Sequence, residues 1–354
     1  MSFTAKYWSK SEETEQIICE LCPRFCRLRD GQRGLCFVRK RSGNQLILDT
    51  YGRSSGFCID PIEKKPLNHF FPGTSVLSFG TAGCNLACKF CQNHDISKSR
   101  DQDAMAHNAS PIQIAEAARK HKCGSVAYTY NDPVIFIEYA IDVAMACHEQ
   151  QINNVAVTAG YINEPAREDF FAVMDAANID LKGFSQKFYR KLTGSEIEPV
   201  LDTIAYVAQE TECWLELTTL IIPGENDSPQ ELEKLSLWVL ETCGSKTPLH
   251  FTAFKPDHRM LDKPATPAKT LFEARKIALK AGLKHVYVGN IHDYEAQSSY
   301  CNGCGARLIG RNWHVLSDWK LDDFGGCTIC GNQFSGRING PPGNWGRKRM
   351  PIRL

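Results

Sequence analysis

Between residues 71 and 295 short apolar runs alternate with longer stretches in which apolar positions recur every three to four residues. The runs at 76–80, 125–130, 154–158, 178–182, 214–222, 249–254 and 285–288 have the length and the β-branched and aromatic content of strands. The stretches near 110–122, 133–149, 165–176, 199–210, 228–243 and 267–282 carry the helical period. Ser110-Pro111 and Ser228-Pro229 are helix starts, an oxygen-bearing cap followed by proline at the first helical position. Alternation at this rate predicts an α/β fold of parallel strands joined by crossover helices, a barrel or a doubly wound sheet. In either architecture the chemistry gathers at the C-terminal ends of the strands.

The 354 residues leave room for appendages on such a core: a cysteine-rich front module over 1–70, a glycine- and cysteine-rich module over 296–340 and a basic tail over 341–354. A hydrophobic content of 43% excludes global disorder. With 41 basic against 40 acidic residues there is no bulk field for nucleic acid or an anionic membrane. No run reaches the ~18 apolar residues of a membrane span. The amino-terminal stretch lacks the apolar segment of a signal peptide, so a soluble cytoplasmic protein is expected.

Sixteen cysteines change the picture. Eleven fall into three groups: Cys19, Cys22, Cys26 and Cys36; Cys84, Cys88 and Cys91; Cys301, Cys304, Cys327 and Cys330. Thiols two or three residues apart converge on a metal more readily than they form mutual disulfides. Cys84-x3-Cys88-x2-Cys91 directly follows the first core strand. Three thiolates on one loop can each take one iron of a cubane cluster and leave the fourth iron open to a substrate or cofactor. The other reading is a Cys3His zinc site completed by His94.

The segment from Gly80 to Asn93, with Phe90 before the third cysteine, resembles the signature loop of radical S-adenosylmethionine (SAM) enzymes. It is similar to the branch containing pyruvate formate-lyase activating enzyme, and most of all to the AmmeMemoRadiSam-system radical SAM group, as is the segment from Lys64 to Gly73. The resemblance implies a partial (β/α)6 TIM-like barrel and a 4Fe–4S cluster on Cys84, Cys88 and Cys91. It further implies an oxidoreductase that reductively cleaves SAM to a 5′-deoxyadenosyl radical, which abstracts hydrogen from a substrate. A reductant such as flavodoxin or ferredoxin, and Memo-like and AMMECR-type proteins, are the implied partners.

Several residues at the strand ends match that pattern. Asn131 and Asp132 stand where the family has Asn-Glu before proline; the alternative for Asp132 is a helix start at Pro133. Thr158 and Gly160 match a Thr-Asn-Gly, with Ala159 replacing the asparagine. Alternation puts Asp180 and Lys182 on one face, the barrel interior, where opposite charges must pair or bind a ligand. The family sets them against the cofactor's ammonium and carboxylate; the alternative is a structural ion pair. Alternation gives Glu216 the same interior face, with no role assigned to it, and Asn290 is a polar contact or a turn.

The front four cysteines suit a second iron–sulfur cluster or a zinc ion equally. Cys301-x2-Cys304 and Cys327-x2-Cys330 are two knuckles of zinc-ribbon spacing, for which zinc is favoured over a single iron. Cys123, Cys147, Cys213 and Cys243 read as core fillers, and Cys58 as a neighbour of the front cluster at most. The basic tail is expected to be solvated or docked on the chain itself, without nucleic acid. Three functions remain: modification of a small molecule or protein, activation of a glycyl-radical enzyme, or a non-enzymatic electron carrier or zinc scaffold.

Overall fold

The computed structural model describes residues 3–99 and 107–354, so the first two positions of the front module and residues 100–106 lie outside the described residues. Its centre is a nine-stranded sheet. In chain order the strands are β1 (Phe57–Pro61), β2 (Ser75–Phe79), β3 (Ser125–Tyr128), β4 (Asn153–Thr158), β5 (Ala176–Asp180), β6 (Trp214–Ile221), β7 (Leu249–Ala253), β8 (Val286–Gly289) and β9 (Met350–Ile352). Strands β2 to β8 lie side by side in sequence order and all pair in parallel.

Six helices make the crossovers: α1 (Pro111–Lys120), α2 (Ile137–His148), α3 (Glu164–Phe171), α4 (Glu198–Glu210), α5 (Pro229–Cys243) and α6 (Ala268–Ala281). Sequential order with one crossover hand winds a twisted sheet in a single direction, which is what curls it into a partial barrel. The expected helix starts hold. The Ser110 hydroxyl caps α1 by accepting from the Gln113 amide at 3.3 Å, and the Ser110 amide donates back to Gln113 Oε1 at 2.8 Å in a capping box; Ser228 caps α5 by accepting from the Glu231 amide at 3.3 Å. The stretch from 133 begins with a 3-10 turn, Pro133–Phe136, before α2 takes over.

Long-range pairing adds two strands to this sheet, the second of them docking the basic tail on the chain itself as expected. Strand β1, inside the expected front module, is the antiparallel neighbour of β2 and so belongs to the barrel sheet. The basic tail supplies β9, which pairs with β1: Met350 lies opposite Ile59 and Ile352 opposite Phe57. The front module proper consists of two small antiparallel sheets. One joins Trp8–Lys10, Ile17–Cys19 and Cys26–Leu28; the other joins Phe3–Thr4, Gln45–Leu48 and Arg39–Ser42.

The late cysteine module, built on Ser299–Tyr300, Arg307–Asn312 and Val315–Trp319, closes the N-terminal end of the barrel. There Phe334 stacks on His69 at 4.3 Å, the Arg337 amide donates to the His69 carbonyl at 2.7 Å, and buried Arg311 reaches the Asn68 carbonyl at 2.6 Å. That end is a polar hub around Glu216. Its carboxylate accepts from the amides of Asn68 (3.0 Å) and His69 (2.8 Å), from Trp214 Nε1 (3.1 Å), and pairs with His250 Nε2 at 2.7 Å. The interior role of Glu216 is therefore to fasten the segment entering β2 to the start of β6 and β7.

Candidate active site at the barrel mouth

Strand β2 delivers the chain into Gly80-Thr81-Ala82-Gly83, and the geometry there demands glycine. A Cβ at Gly80 would sit 2.3 Å from the Thr129 carbonyl oxygen; Gly83 has φ +89° and a Cβ there would sit 2.1 Å from the Cys36 carbonyl oxygen. The loop that follows is held from several sides. The Ala87 and Lys89 amides donate to the carbonyls of Thr193 and Leu192, each at 2.8 Å, and Lys98 Nζ donates to the Leu86 carbonyl at 2.6 Å. Such anchoring fixes three thiols on a segment that has no regular structure of its own.

The sulfurs of Cys84, Cys88 and Cys91 line one cavity of about 290 Å³ at the C-terminal mouth of the barrel. This is near the lower end of the ~300–1,000 Å³ typical of ligand pockets. Burial pushes the Cys84 thiol up to about 11 and the Cys88 thiol up to about 12. Such thiols stay protonated at neutral pH unless a cation replaces the proton, so loading a metal here releases protons. His94 does not complete a ligand set. Its Nδ1 faces the Cys91 carbonyl at 3.3 Å and Asp257 at 3.4 Å, and its ring stacks on His258 at 4.8 Å.

The residues expected around the cavity take different parts. Phe90 is buried, lines the cavity and packs toward Phe188, ring centres 6.1 Å apart. Asn131 lines it too, but its side chain is engaged in bracing the loop: Nδ2 donates to the Gly83 carbonyl at 2.8 Å, and Oδ1 accepts from the Thr81 amide at 3.1 Å. Asp132 accepts from the Val134 amide (3.1 Å), Thr158 Oγ1 (2.9 Å) and the Ala159 amide (2.9 Å). It thus starts the turn at Pro133 and ties β3 to β4. Burial raises its pKa, an effect those three donors oppose. Thr158 is buried against Asp132, and Gly160 stands behind the wall at φ +65°, with Ile179 and Thr203 crowding its Cα.

Asp180 and Lys182 meet at the mouth, as alternation predicts. The Lys182 ammonium is 2.6 Å from Asp180 Oδ2, and both residues line the cavity. Burial alone would depress the lysine, but Asp180 outweighs it and holds the ammonium charged. Beside Asp180 in the β5–β6 register stands Thr218, which lines the cavity and whose buried hydroxyl has no hydrogen-bond partner among the chain's described residues. Thr252 and Ser97 also reach the wall, Ser97 with its hydroxyl 3.2 Å from Cys91 Sγ. The inward phase of β6, shared with Glu216, was the sequence signal for Thr218. Asn290 lines the cavity while donating to the Ala253 carbonyl at 3.1 Å.

A sequence model of the radical SAM superfamily matches residues 79–235, which include the three-cysteine loop and strands β3 to β6. An uncharacterized protein of Methanocaldococcus jannaschii is 38% identical over 332 residues, 93% of this chain and 98% of its own length. The pyruvate formate-lyase-activating enzyme of Listeria monocytogenes is 24% identical, over 46% of this chain and 68% of the relative. The chain belongs to the radical SAM superfamily. The 4-hydroxyphenylacetate decarboxylase activating enzyme of Clostridioides difficile is also similar, at 24% identity over 42% of this chain and 50% of that enzyme.

The radical SAM family implies a 4Fe–4S cluster and SAM, and the mouth has donors that fit both: three cysteines and a charged pair lining one cavity. The four late cysteines of this radical SAM protein form a separate metal-sized set. Their sulfurs lie within 4.8 Å of one another, with Cys301 and Cys330 at 3.5 Å and Cys304 and Cys327 at 3.9 Å. Although burial opposes it, the amides of Cys304 and Gly303 draw the Cys301 thiol down to about 6. Cys58 lies in β1 beside Asp60, and Cys123, Cys147 and Cys213 are buried in the core. No helix among the described residues is long and apolar enough to cross a membrane.

Proposed function

We propose that this chain is an enzyme that binds SAM at the barrel mouth and cleaves it reductively, directing hydrogen abstraction at a small molecule or at a protein. The observation that carries the reading is the shared cavity: Cys84, Cys88 and Cys91, the Asp180–Lys182 pair and Thr218 line it together. A cluster held by those three thiols supplies the electron for breaking the sulfonium C–S bond of SAM.

The chain's own residues do the rest. Lys182 offers a fixed positive charge to the carboxylate of the methionyl group, and Asp180 accepts from its ammonium. Thr218 gains the partner it lacks. Leu86, Phe90, Val157 and Leu220 give the cavity apolar walls that exclude water from a reactive centre. The electron is proposed to come from a carrier such as flavodoxin or ferredoxin. Zinc is the proposed occupant of Cys301, Cys304, Cys327 and Cys330, since four thiolates at tetrahedral spacing close its coordination. Because that module seats on the opposite end of the barrel through Phe334 and Arg337, its proposed part is structural.

A second reading, activation of a glycyl-radical enzyme by abstraction from a backbone glycine, draws support from the two activating enzymes among the relatives. Two additional cysteine modules favour a different substrate, in association with Memo-like and AMMECR-type proteins. A carrier or scaffold has no use for a charged pair in a ligand-sized cavity. The test is the full chain with Cys84→Ala, Cys88→Ala and Cys91→Ala, assayed anaerobically with SAM and dithionite. 5′-Deoxyadenosine formation should vanish; its persistence overturns the reading.

A further inference from the structure

The front four cysteines are absorbed by nothing in the barrel chemistry, yet they are built against it. Cys19 and Cys26 face each other across an antiparallel ladder, and Cys22 and Cys36 are buried beside them. Cys19, Cys26 and Cys36 all lie near Cys22, so the four form one group. The buried guanidinium of Arg39, paired with Glu138 at 2.5 Å, adds positive charge beside Cys19 and Cys36.

The molecule contains two other cysteine sets that calibrate the spacing. A single tetrahedral ion with metal–sulfur bonds of ~2.3 Å draws its sulfurs to within about 4 Å of each other. The late module has that spacing. Among the described residues it is the one set in which three or more ligand atoms fall within 4.8 Å, so neither the front four nor the mouth three are drawn that close. A cubane puts one thiolate on each iron and holds the sulfurs farther apart. The front set, like the mouth set, lacks the close spacing of the single-ion module.

The front set also touches the mouth loop on both sides of Cys84. The Cys36 carbonyl lies against Gly83, and Arg24, between Cys22 and Cys26, donates from Nε to the Asn85 carbonyl at 3.0 Å. We propose that Cys19, Cys22, Cys26 and Cys36 hold a second 4Fe–4S cluster, closed by four thiolates, that passes single electrons to the centre at the mouth. With every iron ligated it has no open corner for SAM. One electron enters from an external one-electron reductant at the surface, where Cys26 is half-buried beside exposed Phe25, and one leaves toward Cys84; no bond forms or breaks.

The part of this proposal that concerns the destination of the electron rests on the mouth reading; the cluster itself does not. The test is metal, sulfide and electron paramagnetic resonance analysis of the full chain purified anaerobically. The variant Cys84→Ala, Cys88→Ala, Cys91→Ala should retain about four irons and four sulfides per chain. Its dithionite-reduced signal should be insensitive to SAM. Wild type should hold about twice that iron, and Cys19→Ala with Cys22→Ala should lose half of it while keeping a SAM-sensitive signal. An iron-free triple variant overturns the proposal, whether its front site then carries zinc or nothing. Should the double variant fail to fold, the triple variant decides alone, because its front module is intact. A wild type with four irons, insensitive to SAM and undiminished in the triple variant, would uphold the second cluster and sink the mouth reading instead.

Discussion

The two ends of the barrel each hold a carboxylate against a basic side chain, Asp180 with Lys182 at the mouth and Glu216 with His250 at the floor, and their surroundings differ. At the floor every direction is filled: both carboxylate oxygens of Glu216 accept from buried donors, and the side chain is wholly inaccessible. At the mouth Asp180 keeps a third of its side-chain surface accessible within a cavity, and the neighbouring Thr218 hydroxyl has no partner. Buried polar groups that are fully satisfied hold a structure together; those left short of partners in a cavity await a ligand. The same fold thus separates stability from chemistry along one axis.

That comparison breaks most visibly at the floor. Glu216→Ala leaves two amides, an indole N–H and a histidine without their acceptor, and should cost about 3–5 kcal/mol, read as a fall in Tm or denaturant midpoint. If stability hardly changes, the floor is not the fastening point described. Acid should attack the same end. Burial holds His285 down to about 4, so its folded pKa lies below the ordinary ~6.5. The stability it contributes is complete above ~6.5 and is lost as pH falls toward 4, on the order of 3 kcal/mol, because the unfolded chain takes up the proton first. Denaturation at pH 7 and pH 4.5 checks this, with His285→Gln expected to flatten the difference.

The mouth should behave oppositely. Asp180→Asn ought to weaken SAM binding by about tenfold, measured calorimetrically on the reconstituted protein, with Tm nearly unchanged. A large fall in Tm would make the pair structural. The smallest effect is expected of Thr218→Val, which removes a buried hydroxyl that bonds to nothing. Its stability should stay level or rise slightly, while SAM affinity drops a few-fold.

The sequence carried much of this because its signals are local. Caps at Ser110 and Ser228, the spacing of Cys84, Cys88 and Cys91, and the two-residue step from Asp180 to Lys182 are all contained in a few neighbouring positions. What escaped it depends on partners distant in the chain. Glu216 acquires its role from Asn68, His69 and His250, which nothing near Glu216 foretells. Asp132 is legible either as a ligand contact or as a helix start, and only the placing of Thr158 and Ala159 shows where its oxygens point. The tail reads as a run of charge, and its pairing with β1 requires the rest of the sheet to exist first.

That last pairing has a consequence for biogenesis. Strand β1 waits as an unpaired flank until a segment near the far terminus arrives, and closing so long a loop is the slow, entropically costly part of assembly. During that interval Phe57–Pro61 offers bare backbone groups to any neighbouring nascent chain, an invitation to misassociation. Misassociation during folding should therefore be governed by Met350–Ile352, three residues outside all three cysteine groups.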